Sequence, residues 1–181
     1  MNDHVEKFIE HLQRLREQDR GALAVLRRSL SFELGSYPPA YTYVEHFVGA
    51  DRRASDPFRL ALYLVAGLYA LHPKTSTNSL AASFGELMHR RNSGSIENRF
   101  IALLGADPEN LADYLRQVVT LLAADALGLN YTALLNDVRC WLDPFAPEKR
   151  DQIRQKWARD FYGALVEREP EPSSTTNFAD K

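Results

Sequence analysis

Residues 56–71 read DPFRLALYLVAGLYAL, and this stretch decides the fold class. Asp56 followed by Pro57 is a helix-start signal, because Asp caps the free N–H groups of a first turn and Pro is preorganised for the first helical position. The residues that follow are apolar almost all round the helix, which is typical of a helix buried on every side. We therefore expect residues 57–71 to be the central buried element of the first half of the chain.

Amphipathic helices are predicted on both sides of this element, because apolar residues recur with the helical period of about 3.6 residues. The predicted helices span residues 3–16, 20–30 with Asp19 as cap, 39–48 after Pro38 and Pro39, 80–91, 96–104 with Ser95 as cap, a long helix begun by Asp107 and Pro108, 131–142, and 147–165. No segment reads as a convincing strand or an internal repeat. The sequence therefore predicts an all-α fold of about eight to nine helices in two packed bundles, without a sheet.

The polar loop at residues 73–78 is the best candidate for a boundary between two halves. We expect an N-terminal helical bundle over residues 1–73 and a C-terminal helical bundle over residues 79–166. From Glu167 onward the chain is polar, contains Pro and has no hydrophobic period. Residues 167–181 are therefore predicted to be a disordered tail.

Composition places the chain among ordinary globular proteins, with 45% hydrophobic and 25% charged residues. Cys140 is the single cysteine, which excludes an internal disulfide and a cysteine-cluster metal site. Acidic residues interrupt the first turns, so no signal peptide is expected. The apolar stretch 58–71 is shorter than the roughly 20 residues of a membrane span. We therefore expect a cytoplasmic protein without a membrane partner.

The net charge of −2 conceals an uneven distribution of charge along the chain. Residues 20–104 contain ten Lys and Arg against six Asp and Glu, a balance of +4, whereas residues 1–19 give −2 and residues 105–181 give −4. A basic face can therefore exist on a protein that is acidic overall. The alternative is that these arginines only solvate helix surfaces.

Arginines near helix ends and loops are the positive functional signal. They are Arg27, Arg28, Arg52, Arg53, Arg90, Arg91 and Arg99. The planar guanidinium donates two parallel hydrogen bonds and stays charged, which suits it to phosphate groups. Because no base-reading motif accompanies them, contacts with a nucleic-acid backbone are the expected chemistry.

Catalytic signatures are absent from the sequence pattern. The five histidines have no metal-ligand spacing, and the glycines stand singly, so no phosphate-binding loop or nucleophile elbow is present. We expect no catalytic residue, no metal and no cofactor. Two alternatives stay open: a protein-interaction scaffold that does not touch nucleic acid, and a helical hydrolase or nuclease whose site is assembled from scattered acids and histidines.

The order of short motifs resembles a known family. The motifs are DRGALA at 19–24, LRR at 26–28, Pro38-Pro39, Asn92-Ser93-Gly94 followed by Arg99, then Leu134, Asp137 and Trp141, and finally WARDFY at 157–162. Together they are similar to the CasB family, the small subunit of the type I-E CRISPR surveillance complex called Cascade. The resemblance covers approximately residues 5–165.

This resemblance implies an all-helical protein without enzymatic activity, present as a head-to-tail pair of copies in Cascade. In that family the pair runs beside the guide RNA and the target strand, contacts the backbone subunits and the large subunit, and helps to hold the displaced DNA strand. Arg27, Arg28 and Arg99 match basic positions of the family, and Arg116 resembles another. Proximity in sequence adds the weaker candidates Arg90, Arg91 and Lys74.

Overall fold

The computed structural model describes residues 2–166, and the predicted tail at 167–181 lies outside the described residues. This part of the chain forms nine α-helices: α1 (Asn2–Gln18), α2 (Arg20–Ser29), α3 (Tyr41–Val44), α4 (Pro57–Leu71), α5 (Leu80–Arg91), α6 (Gly94–Leu104), α7 (Leu111–Ala124), α8 (Tyr131–Trp141) and α9 (Pro147–Val166). Between residues 2 and 166, β-type pairing is limited to an isolated bridge between Thr75 and Leu129. The all-α prediction is confirmed.

Helix α4 is the central element, as its sequence predicts. Every residue from 61 to 70 is buried. The Asp56 carboxylate caps the helix and accepts hydrogen bonds from the backbone N–H groups of Phe58 and Arg59 at 2.8 and 3.2 Å. A cap of this kind typically stabilises a helix by about 1 kcal/mol. Helix α2 packs against α4 from the first half of the chain, and α7 and α8 pack against it from the second half.

One charged side chain lies on this apolar helix, and the fold supplies its partners. The Arg59 guanidinium contacts the Glu45 carboxylate at 2.5 Å and donates to the carbonyl of Gly35 at 3.1 Å. The hydroxyl of Tyr63 donates to the same Glu45 oxygen at 2.7 Å. A largely buried charge is tolerated only with such partners. Arg59 thereby fastens two points of the long connection between α2 and α4 onto α4.

The same connection is also held by α1, through two histidines on one helix face. His4 Nε2 donates to the carbonyl of Phe47 at 2.8 Å, and His11 Nε2 donates to the carbonyl of Tyr43 at 3.0 Å. The prediction of one helix over 39–48 is wrong. Two 3₁₀ turns, Pro38–Ala40 and Glu45–Phe47, enclose the single α-turn of α3. His11 engages the carbonyl that a continuous α-helix would offer to residue 47.

Two predicted helix starts are also wrong. Helix α7 begins at Leu111 rather than at Pro108, because residues 107–110 form a turn closed by a hydrogen bond from the N–H of Asn110 to the carbonyl of Asp107 at 3.0 Å. Helix α6 begins at Gly94 with Ser93 at the cap position, and the Ser95 hydroxyl contacts the Ser93 hydroxyl instead of capping the helix.

The most extensive helix pair is α5 with α9. Gly85 lies where these helices approach each other, and a Cβ atom there would stand 2.3 Å from the carbonyl oxygen of Phe161. Only glycine permits this approach. The buried hydrophobic side chains of both halves belong to one cluster. The division into bundles at 1–73 and 79–166 stays a prediction.

Candidate nucleic-acid interface

Arg99 and Arg116 lie in one surface groove, although 17 positions separate them in the sequence. Arg99 comes from α6 and Arg116 from α7, two helices that pack together. The groove has a volume of about 300 Å³, and Gln117, Thr120 and Leu121 complete its lining. Packing along the Ile96 and Phe100 side of α6 leaves Arg99 on the exposed side. The structure therefore brings together two of the predicted site residues.

The electrostatics of this groove favour an anionic ligand. Arg99 and Arg116 are both exposed, and neither side chain has a hydrogen bond or ion pair within residues 2–166. No carboxylate lines the groove, and its other polar side chains, Gln117 and Thr120, are neutral. A cleft lined by charge of one sign concentrates counter-charged ligands. Two guanidiniums in such a cleft can donate several hydrogen bonds to phosphate oxygens.

Arg27 and Arg28 are exposed in the last turn of α2. The Asp19 carboxylate caps this helix, accepting from the N–H of Ala22 at 3.0 Å, and Leu26 is buried. Arg27 donates from Nε to the carbonyl of Ala70 at 3.1 Å, which places it at the end of α4. Arg28 is exposed, and its side chain has no partner in the described chain.

Lys74, Arg90 and Arg91 differ, because each already has a partner inside the protein. Arg91 forms two hydrogen bonds with the Asp125 carboxylate, at 2.8 and 2.9 Å. Lys74 donates to the carbonyl of Ala126 at 2.6 Å, and Arg90 pairs with Glu86 on its own helix at 2.5 Å. The hydrogen bonds from Arg91 lower the pKa of Asp125, and Arg90 acts in the same direction.

Two further basic residues, Arg16 and Arg139, were not singled out from the sequence. Arg16 donates to the carbonyl of Pro73 at 2.7 Å and so lies at the same end of α4 as Arg27. Its position in the last turn of α1 was the available signal, but the acidic balance of residues 1–19 obscured it. Arg139 lies over the ring of Phe58, with Arg52 also against that ring, at 5.4 and 4.7 Å from its centroid.

Metal-binding clusters and membrane-spanning helices are both absent from the described residues. Over residues 2–166 no group of three or more His, Cys, Asp or Glu side chains is arranged to hold a metal ion. In the same part of the chain, none of the helices has the length and apolarity to span a bilayer.

The sequence matches a known protein family over most of its length. The family described as CRISPR-associated protein Cse2 matches residues 22–162. A CRISPR-associated protein Cse2 from Thermus thermophilus is 40% identical over 164 residues, covering 88% of this chain and 90% of that protein. The chain belongs to the Cse2 family.

Solved structures of Cse2-family proteins, also called CasB, have the same fold. CasB from Thermus thermophilus is 38% identical, with a TM-score of 0.73 and coverage of 88% of this chain and 97% of that chain. CasB from M. ruber is 31% identical, with a TM-score of 0.71 and coverage of 91% and 95%. A chain of a CRISPR RNA-guided surveillance complex shares the fold at 19% identity, with a TM-score of 0.77 and coverage of 92% and 95%. The resemblance to CasB is confirmed.

Proposed function

We propose that this chain is a non-catalytic subunit of a CRISPR RNA-guided DNA surveillance complex that contacts the guide RNA or target DNA through phosphates and stabilises the R-loop in antiviral defence. The observation that carries the proposal is the groove of Arg99 and Arg116, two exposed guanidiniums from different helices without a carboxylate partner. Membership of the Cse2 family supports a place in such a complex. We propose as its partners other subunits of Cascade, a second copy of the chain and the nucleic acid, in the cytoplasm.

Phosphate contact suffices for this role. In RNA-guided complexes the base pairing between guide and target reads the sequence, and the protein needs to recognise only backbone and shape. The groove of Arg99 and Arg116 offers charge without any arrangement for reading base edges, which suits a strand of arbitrary sequence. Binding through phosphates also predicts a steep dependence on salt.

Arg27 and Arg28 form a second proposed contact zone. Arg28 has no partner in the described chain, and Arg27 uses only its Nε in the bond to Ala70. Lys74, Arg90 and Arg91 are weaker members of the interface, because a phosphate has to compete with the partner that each already has. These partners are a backbone carbonyl for Lys74, Glu86 for Arg90 and Asp125 for Arg91.

The decisive experiment compares two pairs of charge reversals in the assembled complex. R99E/R116E should reduce retention of target DNA at least tenfold, because it replaces two phosphate donors by two repelling charges. K149E/R159E is the matched control, since both of its positions are exposed on α9 and have no side-chain partner between residues 2 and 166. Filter binding or gel shift of the complex measures retention. Equal losses in both variants, or no loss in either, would show that the site is wrong.

A further inference from the structure

A second groove, at the N-terminal end of α7, has the opposite charge. Its volume is about 470 Å³, within the range of clefts that take up ligands. The turn after α2, one side of α4, the start of α7 and the end of α8 form its walls. Most of the lining is apolar and includes Leu30, Phe32, Leu34, Leu60, Ala112 and Leu142. Phe32 is 44% exposed although its ring stacks on Tyr37 at 4.5 Å between centroids.

Three carboxylates surround this apolar lining: Glu33, Glu109 and Asp113. No Lys or Arg lines the groove, and none of the three has a side-chain hydrogen bond or ion pair in the described part of the chain. Asp113 lies in the first turn of α7, where the helix dipole favours it. Glu33 lies in the turn that follows α2, outside any helix, and lines the same groove.

Charge complementarity selects the occupant of this acidic groove. Phosphates are repelled by three unpaired carboxylates, which excludes a nucleic-acid strand. Residues 167–181 contain four Asp and Glu against two Lys and Arg, so this chain's own C-terminal segment is a poor match as well. A protein segment that carries Lys or Arg beside one or two large apolar side chains fits both the lining and the rim.

We infer that the acidic groove docks a basic, amphipathic segment of a neighbouring protein subunit of the surveillance complex. The inference rests on the proposed function for the existence of such a neighbour, and it adds the surface and the chemistry of the contact. Helix α7 then contributes residues to two different contacts. Its first turn faces a protein partner, and the groove of Arg116 one turn later faces a nucleic-acid strand.

Charge reversal around the groove tests the inference in the full complex. E33K/E109K/D113K should reduce at least tenfold the fraction of complex that carries this subunit, when a tagged partner subunit is purified at about 0.15 M salt. Ala112→Arg, which fills the groove without reversing its rim, should act in the same direction. The matched control is E6K/E10K/E17K, three exposed positions of α1 with the same change in net charge.

Folding and nucleic-acid binding separate the possible causes of a loss. Circular dichroism melting shows whether each variant is folded, and the triple variant keeps the test valid should Ala112→Arg unfold. The isolated triple variant should bind single-stranded DNA at least as tightly as the wild type. If the triple variant enters the complex as well as the wild type does, the inference is wrong. If R99E/R116E retains DNA normally while the triple variant is still lost from the complex, the proposed function fails and the docking surface stands.

Crosslinking identifies the occupant directly. A photoreactive benzophenone amino acid in place of Phe32 should capture, within the assembled complex, a segment of another subunit with an excess of Lys and Arg. Capture of a second copy of this chain, of nucleic acid, or of a segment without basic excess would overturn the assignment.

Discussion

Two groups of basic side chains lie along α7, and they differ in whether they already have hydrogen-bond or ion-pair partners within the protein. At the C-terminal end of the helix, Arg91 is bound to Asp125 and Lys74 to a backbone carbonyl. Arg99 and Arg116, midway along α7, have no partner between residues 2 and 166. A phosphate that bound to the first group would have to displace an existing partner, whereas one that bound to the second group would displace only water. For phosphate binding we therefore expect the number of arginines on a surface to matter less than the carboxylates that pair with them.

The largest expected difference between the two groups is in salt-dependent binding. In the isolated chain, R99A/R116A should weaken binding to single-stranded DNA roughly tenfold at low salt and lower the slope of log K against log salt by about 1.4, since each phosphate contact contributes about 0.7. R90A/R91A should change both quantities less, because those side chains are paired. Fluorescence anisotropy over a salt series measures both. Equal slopes in the two variants would contradict the claim that paired arginines contribute less to phosphate binding than unpaired ones.

A smaller change in DNA affinity, in the opposite direction, should follow when Arg91 loses its ion pair with Asp125. Asp125→Asn removes the carboxylate that holds it and should tighten single-stranded DNA binding about two- to fivefold, the range expected from an exposed ion pair. The double variant R91A/D125N should lose that gain, which makes it the control. If D125N binds no more tightly than the wild type, the pairing with Asp125 does not limit Arg91.

The smallest effect is a shift in acid titration. Hydrogen bonds from Arg91 hold the pKa of Asp125 below its ordinary 3.8, so the ionised carboxylate stabilises the fold at neutral pH and this contribution is lost as the pH falls through the lowered pKa. An NMR titration of the carboxyl carbon should show the midpoint moving up towards 3.8 in Arg91→Ala. R99A/R116A should leave it unchanged. A midpoint at 3.8 in the wild type would contradict the pairing.

The helices were predictable wherever local signals decided them. Asp19 and Asp56 cap α2 and α4 as expected, because capping requires only neighbouring residues. Pro108 did not start α7, since a Pro that suits a first helical position also suits a turn, and residues 107–110 form one. The 39–48 segment departed from its helical pattern because α1 engages its carbonyls, a tertiary contact that periodicity does not contain.

The arrangement of the candidate site was predictable only in part. The resemblance to CasB pointed to Arg99 and Arg116, yet the sequence did not show that they share a groove, which follows from the packing of α6 on α7. Nor did it show that Arg91 meets Asp125, 34 positions later. Pairing between distant residues depends on the completed fold. The acidic groove was missed for the same reason, because Glu33 and Glu109 are brought together from different halves of the chain.

The close approach at Gly85 has a consequence for biosynthesis. Helix α5 buries its apolar face largely against α9, and Phe161, which meets Gly85, follows it by 76 residues. At a synthesis rate of about 5–20 residues per second, α5 waits roughly 4–15 s for its partner. The first half can pack around α4 during that time, with α1, α2 and α3 already made. The second half stays incomplete until α9 has been synthesised, and until then the face of α5 around Phe84 is exposed to chaperones and to aggregation.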